Sequence, residues 1–111
     1  MQVKLNLKDR FIIGELLPPK ANRLTMIIVR DILNKIDITQ KDIEEYGIIQ
    51  EGNGYKWNQE RGNIEKEYNF TEAEIDVMLK GINELDKSNS ITVDMLNTID
   101  KIFHSNLNCT F

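Results

Sequence analysis

The segment Thr71-Glu72-Ala73-Glu74 constrains the fold more than any other part of the sequence, because its first and last residues are those of a helix capping box. In a capping box, the threonine hydroxyl and the glutamate carboxylate accept hydrogen bonds from backbone N–H groups that the first helical turn leaves unpaired. The apolar residues that follow recur at helical spacing: Ile75, Met78, Leu79, Ile82 and Leu85. This pattern predicts an amphipathic helix that packs one face on a core.

Two helices are predicted earlier in the chain. Asn6 can cap the first together with Asp9, and Pro18-Pro19 ends it. The second is predicted over about 24–35, where apolar residues follow the spacing of a core-packing face.

A short helix and a last helix complete the helical part. Thr39 with Asp42 predicts the start of a short helix over 40–46, and Gly47 follows as its left-handed C-cap. Ser90 or Thr92 is predicted to cap the last helix. Its apolar stripe consists of Leu96, Ile99, Ile102 and Phe103.

The segment between residues 48 and 70 has the character of strands. The letters EGNG, between Ile48-Ile49 and Tyr55-Lys56-Trp57, predict a β-hairpin with a four-residue turn. A run over 64–70 alternates, with Ile64, Tyr68 and Phe70 on one side, and predicts a strand that joins the hairpin in one small antiparallel sheet. A short alternation over 3–7 favours an edge strand or an extended arm.

These elements predict one mostly α domain of the α+β class over 1–104, with four to five helices and a small antiparallel sheet in the middle. We expect residues 105–111 to form a flexible tail. The 111 residues suffice for one core and leave little room for a second. A chain of this size buries only somewhat more than ~60% of the surface that it exposes when unfolded. The order of helix, short helix and hairpin also suits a winged-helix-like arrangement.

The sequence offers little for catalysis. His104 is the only histidine and Cys109 the only cysteine, so one chain supplies neither a histidine triad nor an internal disulfide. No glycine-rich phosphate loop is present, and the acidic residues follow helix caps and polar faces. We therefore expect a protein that is not an enzyme and holds no metal or cofactor. With short apolar runs and a polar start, we expect it in the cytoplasm of a bacterial host, away from membranes.

Charge is divided unevenly along the chain. Residues 1–35 hold seven basic and three acidic residues (net +4), while 36–111 hold seven and fifteen (net −8), which gives the overall −4. The predicted partner-binding surface combines acidic and aromatic residues: Asp42, Glu44, Glu45, Tyr55, Trp57, Glu65 and Glu67. The alternative is a nucleic-acid face of basic residues: Lys4, Lys8, Arg10, Lys20, Arg23 and Arg30.

The segments LKDRFIIGELLPPKANRLTMIIVRDI and FTEAEIDVMLKGINELDKSNSIT resemble small uncharacterised proteins of phages and prophages. Those proteins share a leucine-rich first helix that ends in Leu-Pro and a closing helix that begins FTEAE. The resemblance covers most of the chain and implies no catalytic or ligand residue. It implies a context in which short acidic proteins modulate host or phage machinery by occupying a protein surface.

Three functions are compatible with the sequence. The first is an accessory protein that binds and modulates another protein, such as a host defence or nucleic-acid-processing enzyme, through the acidic surface. The second is a winged-helix-like DNA-binding regulator that uses the basic N-terminal third; acids in 40–46 argue against that short helix entering a DNA groove. The third is a self-assembling structural component that buries Trp57 and the outer face of the sheet.

Overall fold

The computed structural model describes residues 2–104 and, beyond them, only the helical backbone at the end of the last helix. The helical backbone of α6 extends into the tail predicted at 105–111, as far as Thr110, and its flexibility stays a prediction. The helices are α1 Leu7–Leu16, α2 Arg23–Ile36, α3 Gln40–Tyr46, α4 Gln59–Gly62, α5 Glu72–Lys87 and α6 Leu96–Thr110. The strands are β1 Gln2–Leu5, β2 Ile49–Glu51, β3 Gly54–Lys56 and β4 Lys66–Asn69. The chain is mostly α and of the α+β class, as predicted.

The capping boxes begin the helices at which the sequence places them. Asn6 with Asp9 begins α1, Thr39 with Asp42 begins α3, and Thr71 with Glu74 begins α5, each with both reciprocal hydrogen bonds present. Helix α3 ends at a glycine with a φ of 64°, which L side chains rarely adopt. These local predictions are confirmed.

The predicted start of the last helix is wrong. Thr92 makes no side-chain cap hydrogen bond, and a 3₁₀ turn over Val93–Met95 comes before α6. The polar stretch 58–63, for which no helix was predicted, contains the one-turn helix α4. Asn58 caps α4 by accepting a hydrogen bond of 3.0 Å from the backbone N–H of Arg61.

The prediction of one central sheet is also wrong, since the strands form two separate antiparallel ribbons. Strand β4 pairs with β1, with Val3 opposite Tyr68, because the buried apolar face of β1 supplies the partner that β4 requires. Within the described part of the chain, strands β2 and β3 pair only with each other, around a two-residue turn in which Gly52 has a φ of 61°. Ile64, predicted to share the buried side of β4, precedes the strand and is 59% exposed.

The core lies where β1, α1, α2, α5 and α6 meet. One apolar cluster joins residues of all five elements, among them Leu5, Ile13, Ile32, Met78 and Ile102, each almost completely buried. Helix α5 packs against α1, α2 and α6, which places it at the centre of the helical layer. No helix within the described part is long and apolar enough to cross a bilayer.

Helices α1 and α5 approach each other closely at Gly81. A Cβ atom at this position would lie 2.1 Å from the carbonyl oxygen of Leu16, the last residue of α1. The glycine, which costs a helix interior roughly 1 kcal/mol relative to alanine, is therefore required by packing.

Candidate functional site

The candidate site is the hairpin β2–β3, whose aromatic side rests on helix α1. Tyr55 and Trp57 are two residues apart in the chain and therefore project from the same face. Both stack on Phe11 of α1, with ring centroids at 5.5 Å and 5.4 Å and interplanar angles of 11° and 27°. Phe11 thus anchors the hairpin to the body of the protein, a role that the sequence did not reveal.

The two aromatic residues of the hairpin differ in exposure. Trp57 is half-buried, and its indole ring lies against Gly62, where a Cβ would stand 2.5 Å from the ring. Tyr55 keeps 55% of its surface exposed although its ring is stacked. Trp57 therefore has a packing role within the chain, while Tyr55 presents an aromatic surface to solvent.

The base of the hairpin is tied to helix α3 on both sides. The backbone N–H of Ile48 donates to the carbonyl of Ile43 at 3.0 Å, and that of Asn58 donates to the carbonyl of Tyr46 at 2.8 Å. Arg61 adds a hydrogen bond of 3.0 Å to the carbonyl of Glu45. The position of Tyr55 is thus defined at its base by α3 and at its ring by Phe11.

The outer face of the hairpin is partly apolar. Ile49 lies opposite Lys56 in the ladder, so the two side chains share the face that points away from Phe11. Ile49 is 64% exposed. The hairpin therefore presents an aromatic ring on one side and an aliphatic side chain beside a cation on the other.

Asp42, predicted as part of the acidic surface, belongs instead to the interior. Its carboxylate accepts a hydrogen bond of 3.0 Å from Arg10, and its side chain is 14% exposed. Burial alone would raise the pKa of Asp42, but hydrogen bonds from Arg10 and Thr39 outweigh it and lower the pKa to about 2. Most of the Asp42 carboxylate is therefore engaged by contacts within the chain, and little of it faces a partner.

The other predicted acidic residues fall into two groups. Glu45 forms a salt bridge of 3.3 Å with Lys66, and Glu65 forms one of 2.8 Å with Lys101. Glu44 and Glu67 are exposed, with no ion pair among the described residues. The structure therefore does not bring the predicted set together as one continuous acidic surface.

Lys66 illustrates how some of these charges are paired within the chain. Its ammonium group lies over the ring of Tyr46, 5.2 Å from the centroid, and beside Glu45. The interaction with Tyr46, followed by that with Glu45, raises the pKa of Lys66 although burial opposes it. Lys66 is thus a partner of α3 at the protein surface.

The predicted basic face is also divided. Arg10 is 5% exposed, and its guanidinium donates to the carbonyls of Ile36 and Asp37 as well as to Asp42, so it cannot contact a nucleic acid. Lys8 forms a salt bridge of 3.3 Å with Asp94. Arg30 lies 3.7 Å from Asp31. The remaining cations of the set are exposed and have no ion pair among residues 2–104: Lys4, Lys20 and Arg23.

A buried charged cluster around Asp9 was not predicted. Its carboxylate, 4% exposed, accepts hydrogen bonds from Thr98 and Lys101 of α6, and Lys101 also contacts Glu65. Burial lowers the pKa of Lys101, but its hydrogen bonds with Asp9 and Glu65 outweigh this and raise it. The cluster is internal and joins α1, α6 and the start of β4.

No group of three or more histidine, cysteine, aspartate or glutamate side chains in the described part of the chain is arranged to hold a metal ion. His104 is exposed on α6. Comparisons with models of known protein families, with curated proteins and with solved structures found no match to this chain. Its function must therefore be inferred from the hairpin and its surroundings.

Proposed function

We propose that this chain is a non-enzymatic accessory protein of the phage or prophage type, which binds another protein and modulates it. The contact surface is hairpin β2–β3. The observation that carries this proposal is the exposure of Tyr55, 55% of whose surface faces solvent while its ring is stacked on Phe11. Aromatic residues are enriched among those that contribute most to protein binding.

The stacking of Tyr55 favours binding for an entropic reason. An exposed tyrosine normally loses rotamer freedom when a partner orders it, at a cost of about 0.5–1.5 kcal/mol per side chain. Phe11 already restricts the ring, and α3 holds the base of the hairpin. The free protein thus presents Tyr55 close to the conformation that a partner would select.

The net charge of the chain indicates the chemistry of the partner. Glu44 and Glu67 are exposed without an ion pair among the described residues, and residues 36–111 carry a net charge of −8, with seven basic and fifteen acidic residues. An aromatic contact on an acidic segment suits a partner with basic groups around an apolar pocket. A host defence or nucleic-acid-processing enzyme has such groups where it binds its own polyanionic substrate.

The proposal is tested by placing a photoreactive benzoylphenylalanine at position 55 and irradiating the protein in a lysate of a bacterial host. A partner should crosslink at position 55 and should be absent when the same group replaces Leu24, an exposed leucine of α2 (69% exposed). The crosslinked protein, once identified and purified, is then titrated with wild-type protein and with Tyr55→Ala.

We expect Tyr55→Ala to weaken binding of the purified partner at least about tenfold, and Leu24→Ala to leave it unchanged. Inhibition or activation of the partner should follow the same order. Unchanged affinity for both Tyr55→Ala and Ile49→Ala would exclude the hairpin as the contact surface. If position 55 crosslinks to no protein in the lysate of any bacterial host that expresses the chain, the binding role is excluded.

A further inference from the structure

Helices α5 and α6 leave an apolar groove between them, which has a volume of about 510 Å³. Two residues of its wall, Leu96 and Phe103, remain 47% and 43% exposed. Its apolar lining consists of Leu79, Ile82, Ile91, Leu96, Ile99 and Phe103. Leu96 and Phe103 therefore leave apolar surface exposed beside the groove.

The polar residues along this groove place opposite charges on either side of a central amide. Lys80, Asn83 and Asp86 all line the groove and follow one another at intervals of three on α5, so Asn83 neighbours both charged residues, which flank it on the helix surface. The cation and the carboxylate are placed symmetrically on either side of the amide, about 9 Å apart along the helix axis. Such an arrangement is complementary to itself when it is turned end for end.

We propose that this groove is the interface of a homodimer, with the twofold axis passing near Asn83. Each copy presents a groove and, on the same surface, the projecting Leu96 and Phe103 that can fill the groove of the other copy. A twofold interface requires this property, because each copy must contribute the same patch.

The twofold axis also satisfies the polar residues. Antiparallel contact of the two α5 helices brings each Lys80 opposite the Asp86 of the other copy, and each Asn83 amide opposite its own symmetry mate, where it can both donate and accept. Within the chain, Lys80 lies 3.1 Å from Asp76 in an exposed i,i+4 pair, which is weak. Asp86 has no salt bridge among residues 2–104. Its carboxylate can therefore accept the ammonium group of the second copy.

The charge pattern identifies a second copy as the occupant. A foreign helix would need its own basic and acidic groups in matching register, whereas the second chain carries them already. The interface uses residues of α5 and α6 and of the segment that joins them, and none from the hairpin β2–β3. The inference is therefore independent of the proposed function, and dimers would present two hairpins.

The test begins with sedimentation of the full chain from low to high micromolar concentration. We expect a reversible dimer in the wild type. Phe103→Asp places a charge in the groove and should raise the dimer dissociation constant at least about tenfold. Leu24→Asp adds the same charge at an exposed leucine of α2 and should leave the constant unchanged.

A charge exchange distinguishes this interface from a folding defect. Lys80→Glu and Asp86→Lys, taken singly, should each weaken the dimer about tenfold, because each sets like charges against each other twice across the axis. The double variant Lys80→Glu/Asp86→Lys restores the opposite-charge pairs and should return the constant to within about threefold of the wild type. Thermal unfolding of each variant checks that the monomer is intact.

A wild type that stays monomeric at high micromolar concentration would overturn the proposal. A dimer that is insensitive to Phe103→Asp, or one that the double charge exchange weakens further, would also overturn it, because its interface would lie elsewhere. Tyr55→Ala should leave the dimer unchanged, so failure of the hairpin to bind a partner and failure of this interface are separate results.

Discussion

The guanidinium of Arg10 donates a hydrogen bond of 3.0 Å to the carboxylate of Asp42, and both side chains are largely buried. The same guanidinium donates to the carbonyls of Ile36 and Asp37. Helix α1 is thereby joined to the end of α2 and the start of α3. From the sequence we placed these two residues on different binding surfaces, and the structure pairs them inside the protein.

This pair belongs to a recurring arrangement. Each acid that completes a capping box also accepts a salt bridge from a cation distant in sequence: Asp9 from Lys101, Asp42 from Arg10, and Glu74 from Lys35. Each acid thus caps its own helix and also binds a side chain of a second element. For Glu74, burial raises the pKa, but the hydrogen bonds from Lys35 and Thr71 outweigh it, and the net shift is downward.

Removal of Arg10 should destabilise the fold strongly. Arg10→Met keeps most of the side-chain volume but leaves the buried Asp42 carboxylate and two carbonyls without their donor, so we expect a loss of about 3–5 kcal/mol in the free energy of unfolding. The matched control is Arg30→Met, because Arg30 is exposed and lies 3.7 Å from Asp31; its cost should stay below about 0.5 kcal/mol. Urea unfolding followed by circular dichroism measures both.

Equal costs for Arg10→Met and Arg30→Met would contradict the role assigned to this pair. A double-mutant cycle with Asp42→Asn then isolates the interaction itself. Because the two groups touch, we expect a coupling energy of about 1–3 kcal/mol rather than additivity.

The free energy of unfolding should fall in acid, and protonation of Asp42 should contribute to this fall. The folded-state pKa of Asp42 is about 2, below its usual value of 3.8. A lowered carboxyl pKa stabilises the folded state fully above the unfolded-state value, and this stabilisation is lost as the pH falls from about 4 through about 2. The loss from Asp42 should be about 2 kcal/mol. Glu74, whose pKa is also lowered, acts in the same direction.

The measurement is the free energy of unfolding as a function of pH, for the wild type and for Asp42→Asn. The variant should be less stable near neutral pH and should show a shallower decline in acid, so that the two curves converge at low pH. For Asp76→Asn, which removes an exposed carboxylate of α5, the curve of unfolding free energy against pH should run parallel to that of the wild type. Parallel curves for Asp42→Asn would contradict the assigned pKa.

The predictable part of the fold rests on interactions within a few residues. The capping boxes at Asn6, Thr39 and Thr71 act within three residues, and so their helices could be derived from the sequence. The pairing of β1 with β4 could not, because more than sixty residues separate the strands and the 64–70 run would suit either β1 or the hairpin. The second partner of each capping acid is similarly undetermined by local sequence.

The candidate site shows the same division. The hairpin that contains Tyr55 was predicted from its turn, but nothing near it in sequence indicates that Phe11, more than forty residues away, stacks on both Tyr55 and Trp57. The net charge of 36–111 predicted an acidic surface, yet charge totals carry no information about pairing. Lys66 and Lys101, which lie within that segment, bind two of the proposed acids.

Loss of the Phe11 ring should release the hairpin from α1. In Phe11→Ala, we expect faster amide exchange over residues 49–56 and a shift of Trp57 fluorescence to longer wavelength, because the indole gains solvent contact. Most of the core lies elsewhere, so the helices should keep their protection. Phe103→Ala, on α6, serves as the control. Unchanged exchange in the hairpin would mean that the ladder and the α3 contacts alone hold it.

Duplex DNA should not bind this chain in the manner expected of a basic face. Arg10 is buried, and Lys8 and Arg30 lie beside carboxylates, so fewer cations remain to displace counterions from phosphate. We expect no shift of labelled duplex at low salt, either with the wild type or with the triple variant Lys4→Glu/Lys20→Glu/Arg23→Glu. Binding that weakens steeply with salt, and that the triple variant abolishes, would favour the nucleic-acid function instead.

Replacement of the two helical glycines by alanine should have opposite effects on stability. Alanine is favoured over glycine in a helix interior by about 1 kcal/mol, and Gly14 of α1 has open space where a Cβ would stand, so Gly14→Ala should stabilise the fold by about 0.5–1 kcal/mol. A Cβ at Gly81 would lie 2.1 Å from the carbonyl oxygen of Leu16, so Gly81→Ala should destabilise it by about 1–3 kcal/mol. Thermal unfolding of both variants checks the signs, and stabilisation by Gly81→Ala would show that α1 and α5 do not approach so closely.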